Sequence, residues 1–123
     1  MTDPFETPLC VQLGCAVPVL LAGMGGVARW ELAAAVANAG GYAQLGMVRE
    51  PPELIAAEIT ALRAATAKPF SVNIIPAATE SGLLDRQIGT CLDLGVETFT
   101  FFWDVMPAVI ARVKAAGARV LHQ

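Results

Sequence analysis

Gly23-Met24-Gly25-Gly26 is the first segment of this 123-residue chain whose residue types could serve chemistry. Glycine carries no Cβ and leaves its N–H exposed, so such a turn lets the backbone approach a flat or anionic ligand. A tight turn with no ligand would use the same residues. Read as Gly23-x-Gly25-x-x-Ala28, with Arg49 or Glu50 downstream, the segment also fits a dinucleotide fingerprint and hence a Rossmann-like nicotinamide domain. Asn73 is an amide in an otherwise apolar stretch, Phe70–Ile75. Once buried, its donors and acceptor need partners. These are either a structural hydrogen bond to a neighbouring strand end or the polar edge of a ring cofactor. Gln44 lies in a comparable setting, unless it faces away from the interior.

Trp103 ends a run of large residues, Phe99, Phe101 and Phe102, and is a candidate wall for a substrate pocket as well as a candidate core residue. Asp104, next to it, reads as a helix N-cap. His122 is the only histidine, so histidine-based chemistry in this chain rests on it. With Trp103 it forms the candidate substrate pocket. No metal-ligand spacing, Ser–His–Asp arrangement or phosphate-binding loop of the G-x-x-x-x-G-K type is present, so no full catalytic set is assembled.

The elements that must position these residues follow from periodicity. Apolar stretches at Val17–Ala22, Tyr42–Met47, Phe70–Ile75, Thr98–Trp103 and from Arg119 read as five parallel strands. Helical patterns lie between them. Leu32, Ala35, Val36 and Ala39 predict one buried face, Ile55, Ile59 and Leu62 a second. Leu84, Ile88, Cys91 and Leu92 predict a third, and Val109, Ile110 and Val113 a fourth. Residues 1–16 form an irregular lead-in, with a short strand or helical turn around Cys10–Leu13. Strand–helix–strand repetition predicts an α/β fold of parallel (β/α) TIM-barrel type, with about four and a half units over residues 17–123. A whole barrel takes roughly 250 residues, so the chain reads as the amino-terminal half of one. Ligands of such sheets bind at the carboxyl ends of the strands, which selects Gly23–Gly26, Gly46–Arg49, Asn73–Ala78, Trp103–Asp104 and His122–Gln123.

Composition sets the outer limits. Hydrophobic residues make up 55% and charged residues 15%, which suits continuously apolar strands covered on both faces, or a core left partly uncovered. A net charge of −3 leaves no basic footprint for nucleic acid. No apolar run reaches membrane-spanning length, and the acidic start, Met1–Glu6, is unlike a signal peptide. Three cysteines without C-x-x-C spacing read as reduced thiols of a cytoplasmic protein. Exposed sheet edges invite pairing with another copy, a homo-oligomer or a non-catalytic half-barrel assembly module.

Four segments together resemble the nitronate monooxygenases, formerly 2-nitropropane dioxygenases: Pro18–Gly26 (PVLLAGMGG), Glu31–Gly41 (ELAAAVANAGG), Phe70–Ile75 (FSVNII) and Val113–Gln123 (VKAAGARVLHQ). Where family members often carry Ala-Pro-Met, this chain has Ala22-Gly23-Met24. The resemblance implies an FMN-dependent TIM barrel that oxidises alkyl nitronates with O₂. Flavin-dependent enoyl-acyl-carrier-protein reductases of the FabK type share the pattern. It further implies that Gly23, Met24 and Gly25 lie along the flavin ring, that Asn73 bonds its polar edge, and that Gln123 approaches from the fifth strand. The family's catalytic base is a histidine in a Glu-Ala-Gly-Gly-His-type loop beyond Gln123, and its phosphate-gripping loops also lie beyond it. His122 is therefore not assigned as the base, and the isolated chain is expected to bind FMN poorly.

Overall fold

The computed structural model describes residues 3–123; residues 1 and 2 of the expected lead-in lie outside the described residues. Helix α1, Pro8–Leu13, opens the fold, with Thr7 as N-cap accepting the Cys10 N–H through its hydroxyl oxygen. The lead-in thus holds a helix rather than a strand. Helix α2 (Trp30–Asn38), strand β1 (Ala43–Gly46), helix α3 (Pro52–Ala65) and strand β2 (Phe70–Ile74) follow. Then come a 3₁₀ turn at Pro76–Ala78, helix α4 (Ser81–Asp93), strand β3 (Thr98–Phe101), helix α5 (Pro107–Ala115) and strand β4 (Arg119–His122).

The four strands form one parallel sheet in the order β1-β2-β3-β4. The first expected strand, Val17–Ala22, makes a single parallel bridge, Leu20 to Tyr42. Two tight i→i+2 bonds, Val19 N–H to Val17 O and Met24 N–H to Ala22 O, bend it away from the ladder on either side. Pro18 has no N–H to offer the neighbouring strand.

The strands alternate rather than run apolar throughout, which corrects the expectation from composition. Ala43, Leu45, Val72, Ile74, Phe99 and Phe101 point into one core with Ile55, Ile59, Leu62, Leu84, Ile88 and Val113 from the helices. Each buried isoleucine or leucine contributes about 1.5–3 kcal/mol of apolar burial. Gln44, Ser71, Asn73, Thr98 and Thr100 are also buried, and they occupy the intervening positions on the opposite face. Gln44 thus faces the interior, and its Oε1 has no partner among the described residues.

Two further expectations change. In α2 the buried residues are Ala33, Ala34 and Ala37, while Ala35 and Ala39 are exposed. The helix turns its smallest side chains inward, so it can lie close to β1 and α3. Asp104 does not cap α5; Met106 stands at the N-cap without a side-chain bond, and Pro107 begins the helix.

Candidate functional site

At the carboxyl end of the sheet, the first crossover folds back over two strands. Gly46 N–H donates to Ala28 O at 2.9 Å, and Met47 N–H donates to Asn73 O at 3.0 Å. The Gly23–Met24 backbone then lies against Gly46 and Asn73. A Cβ at Gly46 would stand 2.7 Å from the Met24 carbonyl carbon, and one at Gly23 would fall inside the Asn73 side chain. Only glycine at both positions permits that approach. Gly25 and Gly26 beyond it face open space, with nothing within 4 Å of an added Cβ. Their N–H groups make no backbone hydrogen bond among the described residues.

Asn73 is 3% exposed, and its Nδ2 donates to Thr100 O on β3 at 3.1 Å. Of the two partners open to it from the sequence, the structure shows the neighbouring strand. Thr100 in turn donates from Oγ1 to Ser71 Oγ at 2.9 Å. Gly46, Asn73, Thr100 and Leu121 stand side by side across the four strands.

The loop after β1 is fixed in part by two residues the sequence reading passed over, Arg29 and Gln87. Arg29 pairs with Glu50 at 2.7 Å. Gln87, fully buried on α4, donates from Nε2 to Met47 O at 3.3 Å and Glu50 O at 2.9 Å. Its position one turn from Leu84, Ile88 and Cys91 is the signal that could have placed it inward. Arg49 Nε donates to Ala78 O at 3.0 Å, which ties this loop to the one after β2.

Among the described residues, the two non-glycine residues with left-handed backbone lie in these carboxyl-end loops: Arg49 at φ 57 and Trp103 at φ 71. Such conformations cost of order 1–3 kcal/mol and cluster at functional sites. Trp103 is 57% exposed, and its ring centroid is 5.9 Å from that of Phe102. Met24, Val27, Phe102, Trp103 and Val105 give this end of the sheet an exposed apolar rim, the kind of surface that marks a binding face.

Gln123 follows β4 and donates its N–H to Phe101 O at 2.9 Å, so its backbone is at the same end. His122 is in register with Phe101. That places it on the helix-covered face, while its neighbour Leu121 stands beside Thr100 on the polar one. The structure therefore gathers Gly23, Met24, Gly25, Asn73, Trp103 and Gln123 at one end and sets His122 apart from them. A wide cavity, about 520 Å³, lies at the opposite, amino-terminal end beneath α1. Its arginines are committed there, Arg63 to Leu94 O and Gly95 O and Arg119 to Gln12 O. The carboxyl end remains the better candidate, because loops there carry the strain, the free N–H groups and the apolar rim. No group of three or more potential metal ligands exists among the described residues.

The sequence profile described as nitronate monooxygenase matches residues 7–98. This chain belongs to that family. It is 40% identical over 116 residues to a curated Mycobacterium tuberculosis protein, "(3aS,4S,5R,7aS)-5-hydroxy-7a-methyl-1-oxo-octahydro-1H-indene-4-carboxyl-CoA dehydrogenase", which covers 94% of this chain and 32% of the relative. It is 40% identical over 74 residues to a nitronate monooxygenase of Pseudomonas aeruginosa, covering 60% of this chain and 20% of the relative. The chain thus spans about a third of the length, or less, of the curated relatives it matches. Among solved structures, FabK from Thermotoga maritima superposes with a TM-score of 0.86 at 31% identity, covering 95% of this chain and 37% of that one. A nitroalkane oxidase from Streptomyces ansochromogenes gives 0.77 at 28% identity, over 94% and 42%. The architecture is that of a partial (β/α) barrel.

Proposed function

We propose that this chain forms the ring-facing part of an FMN site in an oxidoreductase that oxidises alkyl nitronates with O₂. The observation that carries the reading is the Gly23–Gly26 turn, laid over Gly46 and Asn73 with open space at Gly25 and Gly26. A planar ring fits against the bare backbone of Gly25 and Gly26, whose free N–H groups suit its polar edge or a substrate anion. Bound there, FMN would supply the two-electron chemistry.

The chain's own residues orient and exclude water in this reading. Gly23, Met24 and Gly25 line the ring. Gln123 approaches from β4, and Trp103 walls the substrate side. Asn73 acts as a positioning residue: its bond to Thr100 fixes the side chain against which Gly23 rests. His122 takes no part in the pocket, and no described residue is assigned as the base. Free Cys10, Cys15 and Cys91 accord with a cytoplasmic location. No helix of the described residues is long and apolar enough to cross a membrane. The edge of β4 and the bent Val17–Ala22 segment offer pairing surfaces for a second copy.

A second reading is favoured by one observation. The relative named as an indene-4-carboxyl-CoA dehydrogenase matches 94% of the chain, the one named as a nitronate monooxygenase 60%. The same ring-facing turn would then serve redox chemistry on an acyl thioester. Anaerobic mixing of the FMN-loaded protein with 2-nitropropane nitronate, and separately with an acyl-CoA, separates the two. Bleaching of flavin absorbance by the nitronate, reversed by O₂, supports the first reading; bleaching by the thioester alone supports the second. Bound FMN that responds to neither sinks both.

A further inference from the structure

Helix α1 ends in a cap built between two cysteines. Gly14, just past the helix at φ 72, donates its N–H to Cys10 O at 2.8 Å, and Cys15 N–H reaches the same carbonyl at 3.1 Å. A bond of this 6→1 kind brings together the side chains at its two ends, ordinarily as an apolar contact. Here both ends are thiols. Bond lengths on either side of the 3.1 Å contact hold the two Cα atoms within about 7 Å, which is the outer reach of a disulfide. Cys10 and Cys15 also line one small crevice of about 270 Å³ near Asp3 and Glu6.

The two thiols are unequal. Hydrogen bonding from Thr7, whose hydroxyl oxygen also accepts the Cys10 N–H at 3.2 Å, holds the Cys10 thiol below its ordinary range. Burial, followed by its neighbour Cys10, pushes Cys15 up. Cys10 and Cys91 are both buried, but Cys10 lines the crevice, whereas Cys91 sits in the core cluster, where burial raises its thiol to about 12.

We propose that Cys10 and Cys15 form a reversible disulfide at the end of α1, with Cys10 as the attacking thiolate and hydrogen peroxide as the oxidant. The Cys10 sulfur attacks one peroxide oxygen; the O–O bond breaks and hydroxide leaves, to be protonated to water. The resulting sulfenic acid is attacked by the Cys15 thiolate, the S–S bond forms, the S–O bond breaks, and a second water departs. Two thiols lose two electrons, peroxide gains them, and the two thiol protons end in the waters. The bridge would close the cap of a helix that roofs the amino-terminal cavity and accepts Arg119 at Gln12 O. The proposal is independent of the flavin reading.

The first lysine or arginine in the chain is Arg29, so a single tryptic peptide, residues 1–29, holds both cysteines. The native protein is treated with dilute hydrogen peroxide, quenched, alkylated, digested and weighed. The expected peptide takes no alkyl group, is two hydrogens lighter than the dithiol, and recovers both alkylatable thiols after dithiothreitol, while Cys91 stays reduced throughout. In Cys15→Ser, dimedone should trap a sulfenic acid on Cys10. Cys91→Ser should leave the 1–29 peptide result unchanged. Two persistent thiols in wild type, oxygen addition at both cysteines without a bridge, or a bridge to Cys91 would each overturn the assignment.

Discussion

Gly23 rests on the side chain of Asn73, so closely that a methyl group at Gly23 would fall less than 3.0 Å from both Cβ and Cγ of the asparagine. Asn73 cannot yield easily, because its Nδ2 is bonded to Thr100 O across the strand boundary. The glycine-rich turn and the middle of the sheet are thereby locked in one arrangement.

Gly23→Ala should destabilise the protein by about 1–3 kcal/mol, the usual cost of overpacking. Asn73→Ala should fail to rescue it, since the remaining Cβ is itself one of the clashing atoms. Urea denaturation of the two single variants and the double variant checks this. A double variant restored to the stability of Asn73→Ala alone would show that the contact lies elsewhere.

Gln87→Leu should cost about 1–3 kcal/mol, because it leaves the Glu50 carbonyl without its donor and the Met47 carbonyl with the Glu50 N–H alone. The loss should be local as well as global. Hydrogen exchange should rise in residues 47–50 more than in α5. Uniform loosening of both would argue against a bridging role.

Glu80 caps α4, accepting the N–H groups of Gly82 at 2.7 Å and Leu83 at 2.9 Å. These bonds, Gly82 first, hold its carboxyl below the ordinary range. With the folded value lowered, the stabilisation is present above the ordinary carboxylate pKa and is lost as pH falls through the folded one. Glu80→Gln should therefore lower the thermal midpoint at neutral pH, and the gap from wild type should close on acidification below the usual carboxylate range. A gap that widened in acid would reverse the assigned sign.

Trp103→Gly sets two effects of similar size against each other. Relief of a left-handed backbone at φ 71 gains of order 1 kcal/mol, and glycine's extra chain freedom costs about 0.5–1 kcal/mol. The exposed ring leaves little packing to lose. Stability should stay nearly constant, while under the proposed nitronate oxidation KM rises with little change in kcat. A large fall in stability would instead make Trp103 a packing residue.

Much of this architecture was legible because α3, α4 and β2–β4 bind their side chains to a regular period. Ile55, Ile59 and Leu62 face inward as their spacing requires. Periodicity fails where the residues along an element are too alike. From Leu32 to Ala39 all but one are apolar, so pattern alone could not select Ala33, Ala34 and Ala37. It also fails where hydrogen bonds outweigh polarity, as at Gln87. Val17–Ala22 looks like a strand by composition, but Pro18 and two tight turns limit it to one bridge. At the candidate site, glycine content singled out the loop. The contact beneath it, Gly23 on Asn73, depends on two segments about fifty residues apart in sequence, and no local pattern records such a meeting. Cys10 and Cys15 are the same case in miniature, since only a helix cap makes neighbours of them.

The alternation along each strand divides the sheet's hereditary burden. A change at Val72, Ile74, Phe99 or Phe101 disturbs a core shared with α2, α3, α4 and α5. A change at Ser71, Asn73, Thr98 or Thr100 alters only a small set of hydrogen bonds on the other side. Substitutions on the polar side should therefore leave the helices where they are.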